Sequence, residues 1–376
     1  MWMAQPKIDS LIAVLREGSY EQRKDATQEL VALGDAAVEA LIDIMRMYSS
    51  REAYEREVME DANPAQHYAV ECLIEIGEPA VDPLIDALRD TTWGARMGAI
   101  YCLGAIGEPR AVQPLIELLG EDWGKQDAPI YDIGESLKRI GEIAMRPLIF
   151  ALRQHQNARV RYGAATIMES YSDPLVVKAL SDTAREDESS DVRGAAILSL
   201  RMIGDESAIT VMIDALADSA AENRELAAVG LGNLLERATD EQARGTGIAA
   251  LVRVMREDDD WGARQTAAEK LATLQTLHAE EAVDRLVLDL SDPDPEIRLG
   301  AGWSLLPLND TRAVDPLTRL LTHSDARIVR MAAAALGRFG DPRPIPILNA
   351  LLSSPNEDIR HAANDALQAL SKNTET

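Results

Sequence analysis

Cysteine is nearly absent, with two residues, Cys72 and Cys102, in a chain of 376. They are too few and too far apart for a Cys-x-x-Cys zinc site or a disulfide framework, and they read as small core residues. Aromatic residues make up only 4%, including two Phe, so the core has to be built from Ala, Leu, Val and Ile. The five histidines, His67, His155, His278, His323 and His361, lie far apart, with no i, i+4 pair or His-Glu dipeptide of the kind helical metal sites use. Positive charge is scarce too. Thirty-eight Lys and Arg against 63 Asp and Glu give a net charge of -25, which opposes neutralisation of phosphates over any broad surface and excludes sequence-independent nucleic-acid binding. There is no P-loop, no Gly-x-Gly-x-x-Gly after a strand and no Gly-x-Ser-x-Gly. No catalytic, cofactor-binding or metal site is expected. No apolar run approaches the ~18 residues that span a bilayer, and the opening MWMAQPKIDS lacks the layout of a signal peptide. A cytoplasmic protein without membrane insertion is the expectation.

What is present is repetition. The length exceeds what one globular core usually reaches, and a period of 20 to 50 residues would decide the architecture. The stretches QHYAVECLIEIGEPAVDPLI from Gln66, RMGAIYCLGAIGEPRAVQPLI from Arg96 and RGAAILSLRMIGDESAITVMI from Arg193 share one template. It starts at Arg23, Gln66, Arg96, Ile130, Arg161, Arg193, Arg224, Arg264, Arg298, Val329 and Arg360, eleven copies spaced by 30 to 34 residues apart from steps of 43 and 40. Three positions on, ten of the eleven copies have Ala, the exception being Ile133; a small side chain there suits a close helix contact. Seven positions on stands Leu, or Met168. The 0, 3, 7 spacing marks one face of a helix.

That helix is expected to end in a left-handed glycine cap at Gly34, Gly77, Gly107, Gly141 and Gly204, each followed by Asp or Glu. A second helix follows, with Pro83, Pro114, Pro147, Pro316 or Pro346 in its first turn. The pattern breaks at two spacers. MRMYSSREAYEREVMED, with Tyr48 and Tyr54, reads as an extension at about 46–62, and ERATDEQARGT as a surface loop at about 236–246. Ile130, Ile133, Pro129 and the preceding Trp123, Lys125, Gln126 and Asp127 make the fourth copy the most divergent. It is either a drifted repeat that still packs or a bend that shapes a binding surface. Trp-Gly-Ala-Arg recurs at Trp93 and Trp261 and reads as a staple over the start of a helix. The template Arg is expected to bond carbonyls or an acidic residue of the neighbouring copy, and Asp258, Asp259 and Asp260 to form a solvated cap.

These coinciding phases resemble the HEAT-repeat family, in particular the short bacterial HEAT-like repeats first described in phycobilin lyases. The resemblance covers about Lys7 to Leu370. It implies an all-α fold, an α-solenoid or superhelix of about eleven antiparallel helix pairs, as one array over 1–370 with a polar tail at 371–376. It also implies that the second helices line the concave side. The di-iron hydroxylase branch of the family carries His-Glu dipeptides that are missing here, and its glycosylase branch needs a basic groove, so neither chemistry transfers.

On the second helices the outward position forms a column: Asp43, Asp86, Glu117, Phe150, Asp182, Asp214, Arg253, Leu288, Arg319 and Asn349. Local i, i+3 pairs, Asp43 with Arg46, Asp86 with Arg89 and Asp182 with Arg185, would account for much of it. Phe150 is not explained that way: it is either an exposed hot spot in a polar rim or a side chain turned inward. The sequence therefore reads as a non-enzymatic scaffold that holds a partner protein with basic residues on Asp43, Asp86, Glu117, Phe150, Asp182, Asp214, Arg253 and Arg319. The alternative is a phycobilin lyase or isomerase-like subunit handling a linear tetrapyrrole and its acceptor protein.

Overall fold

A computed structural model describes residues 5–47, 65–121, 129–274 and 279–373. The described residues are helical with no strand. The positions Trp123, Lys125, Gln126, Asp127, Tyr48, Tyr54 and His278 lie outside them.

The chain divides into two compact units, Met1–Ala179 and Leu180–Thr376, the division falling inside the helix Pro174–Glu186. In the first unit the template helices are Tyr20–Leu33, Ala65–Ile76, Trp93–Ile106, Ile130–Ile140 and Ala158–Ile167. In the second they are Ser190–Ile203, Ala221–Leu235, Trp261–Thr273, Pro295–Leu305, Ala326–Phe339 and Glu357–Asn373. Within each unit, a template helix packs on the next template helix and on the second helix beside it, so every apolar stripe is covered by a neighbour. An additional helix, Gln5–Glu17, packs before the first template helix. It does for that end what a second helix does elsewhere in the first unit.

The template positions follow the expected burial. All eleven residues at the small position, Ile133 included, are at most 2% exposed. Leu30, Leu73, Leu103, Leu137, Met168, Leu200, Leu231, Leu271, Leu305 and Leu336 are sealed, whereas Leu367, in the last template helix, is half-buried. The fourth copy packs as a drifted repeat, with Ile133 and Leu137 fully buried. Its helix comes so close to the preceding one that a Cβ on Gly104 would lie 2.6 Å from Ser136 Cα. Ser136 Oγ, itself buried, donates to the carbonyl of Ile100 at 2.9 Å.

Three expectations are corrected. Only Gly107 and Gly204 of the five glycines adopt the left-handed cap; Gly34, Gly77 and Gly141 combine positive φ with ψ between -129° and -163°. The difference lies one residue on. Glu108 and Asp205 cap the next turn with their own side chains, whereas the other three glycines are themselves the cap residue. The stretch 236–246 is mostly not a loop: Asp240 accepts from the N–H groups of Gln242 and Ala243 and starts a helix, Glu241–Glu257. The extra residues lengthen a second helix. Finally, Trp93 and Trp261 are the first residues of their helices, after Thr92 and Asp260. Neither holds the staple position, and the Trp261 ring lies against Gly300 of the next copy.

Candidate functional site

Each second helix buries one stripe and turns the column position outward. In the helix Val81–Ala87, Val81 and Leu84 are sealed, while Asp82, Asp86 and, just beyond it, Arg89 are exposed. The same register holds elsewhere. Asp43, Asp86 and Phe150 in the first unit, and Asp214, Arg253, Leu288, Arg319 and Asn349 in the second, are exposed; Glu117 and Asp182 are half-buried. Most of the acids already have partners. Asp43 accepts from Arg46 Nη1 at 2.6 Å, and the same guanidinium binds Glu39 and Asp90. Glu117 takes Gln113 Nε2 at 2.6 Å and His155 Nε2 at 3.3 Å. Arg185 does not pair with Asp182 as expected; its Nε donates to Asp214 at 2.7 Å. Asp86 and Arg89 do not pair with each other among the described residues.

Phe150 is outward and 68% exposed. The helix Met145–Gln154 buries Leu148, Ala151 and Leu152, which turns Arg146, Phe150 and Arg153 to the other side. In the helix Pro174–Glu186, Val176, Val177, Ala179 and Leu180 are buried and Leu175 and Lys178 exposed. Between them lies an open groove of about 850 Å³ lined by Arg146, Ile149, Phe150, Arg153, Gln154, Leu175, Lys178 and Ala179. Its floor is apolar and its charged groups are three cations, with no carboxylate among the lining residues. Reading the column one position at a time missed this rim. The signal was present in Arg146 and Arg153, four residues before and three after Phe150, and thus on the same helix face.

The template arginines form the expected bonds to a neighbouring copy, by a rule the sequence did not show. Arg161, Arg193, Arg264, Arg298 and Arg360 each donate Nη1 to the carbonyls six and five residues back, and Arg224 to the carbonyl six back. Arg193 also forks onto Asp218, and Arg224 onto Asp258, the residue at that same linker position in the next copy. Burial pushes the Asp258 carboxyl up, but the Arg224 hydrogen bonds and the Asp260 N–H outweigh it and leave it below the usual range. Asp218 is lowered in the same way by Arg193 and the Ala220 N–H. Asp258 is thus an inner rung, Asp260 the helix cap and Asp259 the solvated residue, at 93% exposure. A second ladder, absent from the sequence reading, joins Arg110 to Asp82, Arg312 to Asp284 and Arg343 to Asp315. Its signal is an acid two residues before the Arg, at Glu108, Asp310 and Asp341.

No group of three or more His, Cys, Asp or Glu able to hold a metal occurs among the described residues. None of their helices is long and apolar enough to cross a membrane.

A family model for HEAT repeats matches residues 51–128, 145–232 and 283–368, well over half of the sequence. The chain belongs to the HEAT-repeat family. Over 86 residues it is 29% identical to the uncharacterized phycocyanin operon protein Z of Pseudanabaena tenuis, covering 23% of this chain and 43% of that protein. Over 92 residues it is 32% identical to deoxyhypusine hydroxylase of Rattus norvegicus, covering 24% of this chain and 30% of that enzyme. The chain therefore matches less than half the length of either relative. The crystal structure of importin beta superposes with a TM-score of 0.55 at 14% identity, over 98% of this chain and 56% of that one. This likeness supports the solenoid fold alone.

Proposed function

We propose that this HEAT protein is a non-enzymatic scaffold that binds a partner protein on the outward face of its second helices. The observation that carries the reading is the groove at Phe150, where a large aromatic side chain stands 68% exposed beside Leu175, itself 52% exposed. Buried apolar anchors within a polar rim supply most of the energy in protein interfaces. Asp43, Asp86, Glu117, Phe150, Asp182, Asp214, Arg253 and Arg319 are the contact positions. The acids Asp43, Asp86 and Glu117 suit basic residues of the partner. Photo-crosslinking residues placed singly at Asp86, Phe150 and Asp214 should capture protein in the native organism, while the same group at Glu71 or Asp365, exposed on template helices, should not. Equal capture at both sets refutes the choice of face.

One observation favours a second reading, a bilin lyase or isomerase-like subunit: the partial match to a phycocyanin operon protein. A linear tetrapyrrole added to the purified chain would then shift its visible absorbance; an unchanged spectrum removes this reading.

A further inference from the structure

We propose that the groove at Phe150 takes an acidic segment with an apolar side chain at its centre, opposite in sign to the partner that the net charge of -25 suggests. This rests on the scaffold reading above and adds the chemistry of what enters one part of that face.

Three features of the groove lead there. Its apolar surface is contributed by two consecutive second helices: Ile149 and Phe150 from one, Leu175 and Ala179 from the next. Phe150 and Leu175 are more than half exposed, and an apolar pair left open on a helix face is stabilised by whatever side chain covers it. The charged groups on the lining are all positive. Arg146 and Arg153 flank Phe150 along its helix, Lys178 stands one turn after Leu175, and all three are exposed. Arg146 has no ion-pair partner among the described residues. Arg153 and Lys178 already have partners, as does Asp182 on the helix of Lys178, so Arg146 is the cation best placed to meet a ligand.

Such a groove selects by sign as well as by shape. A leucine or aromatic side chain entering between Phe150 and Leu175 would bring its flanking residues against Arg146, Arg153 and Lys178. Asp or Glu beside Arg146 gains a charge-assisted hydrogen bond, whereas Lys or Arg there meets like charge. At physiological salt, charges beyond about 8 Å are largely screened, so the groove's own cations decide which segment is accepted. Elsewhere in the first unit the exposed Asp86 keeps the acidic character the sequence suggests, while Asp43 and Glu117 are already engaged.

The test uses the full chain and two fluorescently labelled peptides that share a Leu-x-x-Phe core, one flanked by Asp and Glu, the other by Lys and Arg. The acidic peptide should bind at least tenfold more tightly, with an affinity that falls as salt rises. Phe150→Ala should weaken it by about thirtyfold and Arg146→Glu by about tenfold, with the helical circular dichroism of both variants unchanged. Leu175→Ser, on the neighbouring helix, should weaken it as well. Equal or tighter binding of the basic peptide overturns the proposal, as does undetectable binding of the acidic one or indifference to Phe150→Ala. If that happens while cross-links at Asp86 and Asp214 still capture protein, this inference fails and the scaffold reading stands. Loss of all second-helix cross-links removes the scaffold reading itself.

Discussion

Breaking one rung of the arginine ladder should cost far more than breaking an ion pair of similar length on the surface. The rung is Arg224–Asp258, with side chains only 12% and 7% exposed. Arg224 Nε and Nη2 reach Asp258 at 2.9 and 2.8 Å, and Nη1 reaches the carbonyl of Asp218 at 3.1 Å. Truncating Arg224 to Ala leaves a shielded carboxylate held chiefly by the N–H of Asp260. Removing one partner of a buried pair typically costs ~3 to 5 kcal/mol; the solvent that still reaches Arg224 places the expectation at the lower end, about 3. Asp258→Ala should cost somewhat less, because the guanidinium keeps Asp259 and the Asp218 carbonyl. In the double variant neither charge is stranded, so the two losses should fall short of additive by ~1.5 kcal/mol or more. The control is Arg327–Glu296, 2.9 Å long with side chains 57% and 54% exposed, where solvent screens the pair and its loss should be barely measurable. Urea unfolding followed by circular dichroism gives the totals, and amide exchange in the helices Ala221–Leu235 and Trp261–Thr273 localises them, since neighbouring repeats can open separately. Equal losses at the two pairs, or an additive double variant, would refute the reasoning.

Acid should find the same rungs. Asp218 and Asp258 are held below the ordinary carboxylate range, so their stabilisation is present above ~pH 4 and disappears as pH falls through their folded values; the melting temperature of Asp258→Asn should depend less on pH there than that of the parent. Leucine at Ala196 or Ala227, both fully buried, should overpack the template contact and cost ~1 to 3 kcal/mol, while Asp43→Ala, losing one exposed contact of Arg46, should cost under ~1 kcal/mol. Gly104→Ala presses on the Ser136 backbone and should destabilise by ~1 to 3 kcal/mol, whereas Gly245→Ala meets nothing within 4 Å inside a helix and should stabilise by ~0.5 to 1 kcal/mol; chemical denaturation measures each of these variants. Burial pushes the Cys72 thiol up to about 12 and raises Cys102 as well, so a thiol reagent should label neither until urea is added.

The features legible in the sequence are those that a repeat imposes locally and states eleven times. Ala26 through Ala363 and Leu30 through Leu336 could be placed because helix spacing fixes which side they face, and every copy votes on the register. What stayed hidden depends on distances that sequence spacing does not set. The partners of Arg193 and Arg224 lie 25 and 34 residues away, because linker and helix lengths differ between copies. The stretch 236–246 looked like a loop from its Gly and polar content, yet one N-cap at Asp240 makes it helix. Phe150 stands out from the sequence as the odd residue of the column. The groove around it depends on Leu175 and Lys178 in the next second helix, and no single column contains them.

The total charge of this chain is therefore a poor guide to what its faces attract. Asp90, Asp218, Asp258, Asp310 and Asp341 each face an arginine and also accept backbone N–H groups. They contribute to the count of 63 acids while offering little to a partner. Arginines tied into the ladders are equally unavailable, so the sign at any place is set by the few side chains that no ladder claims. In the first unit this leaves Asp86 exposed at one position of the column and Arg146 beside Phe150 at another. A partner matched to both would carry basic residues where it meets the former and acidic ones where it meets the latter. Reversing such a partner end to end would place like charges opposite each other at both positions, and like-charge juxtaposition across an interface costs several kcal/mol. In the proposed complex the apolar groove would supply affinity without direction, and the unladdered charges would supply the direction.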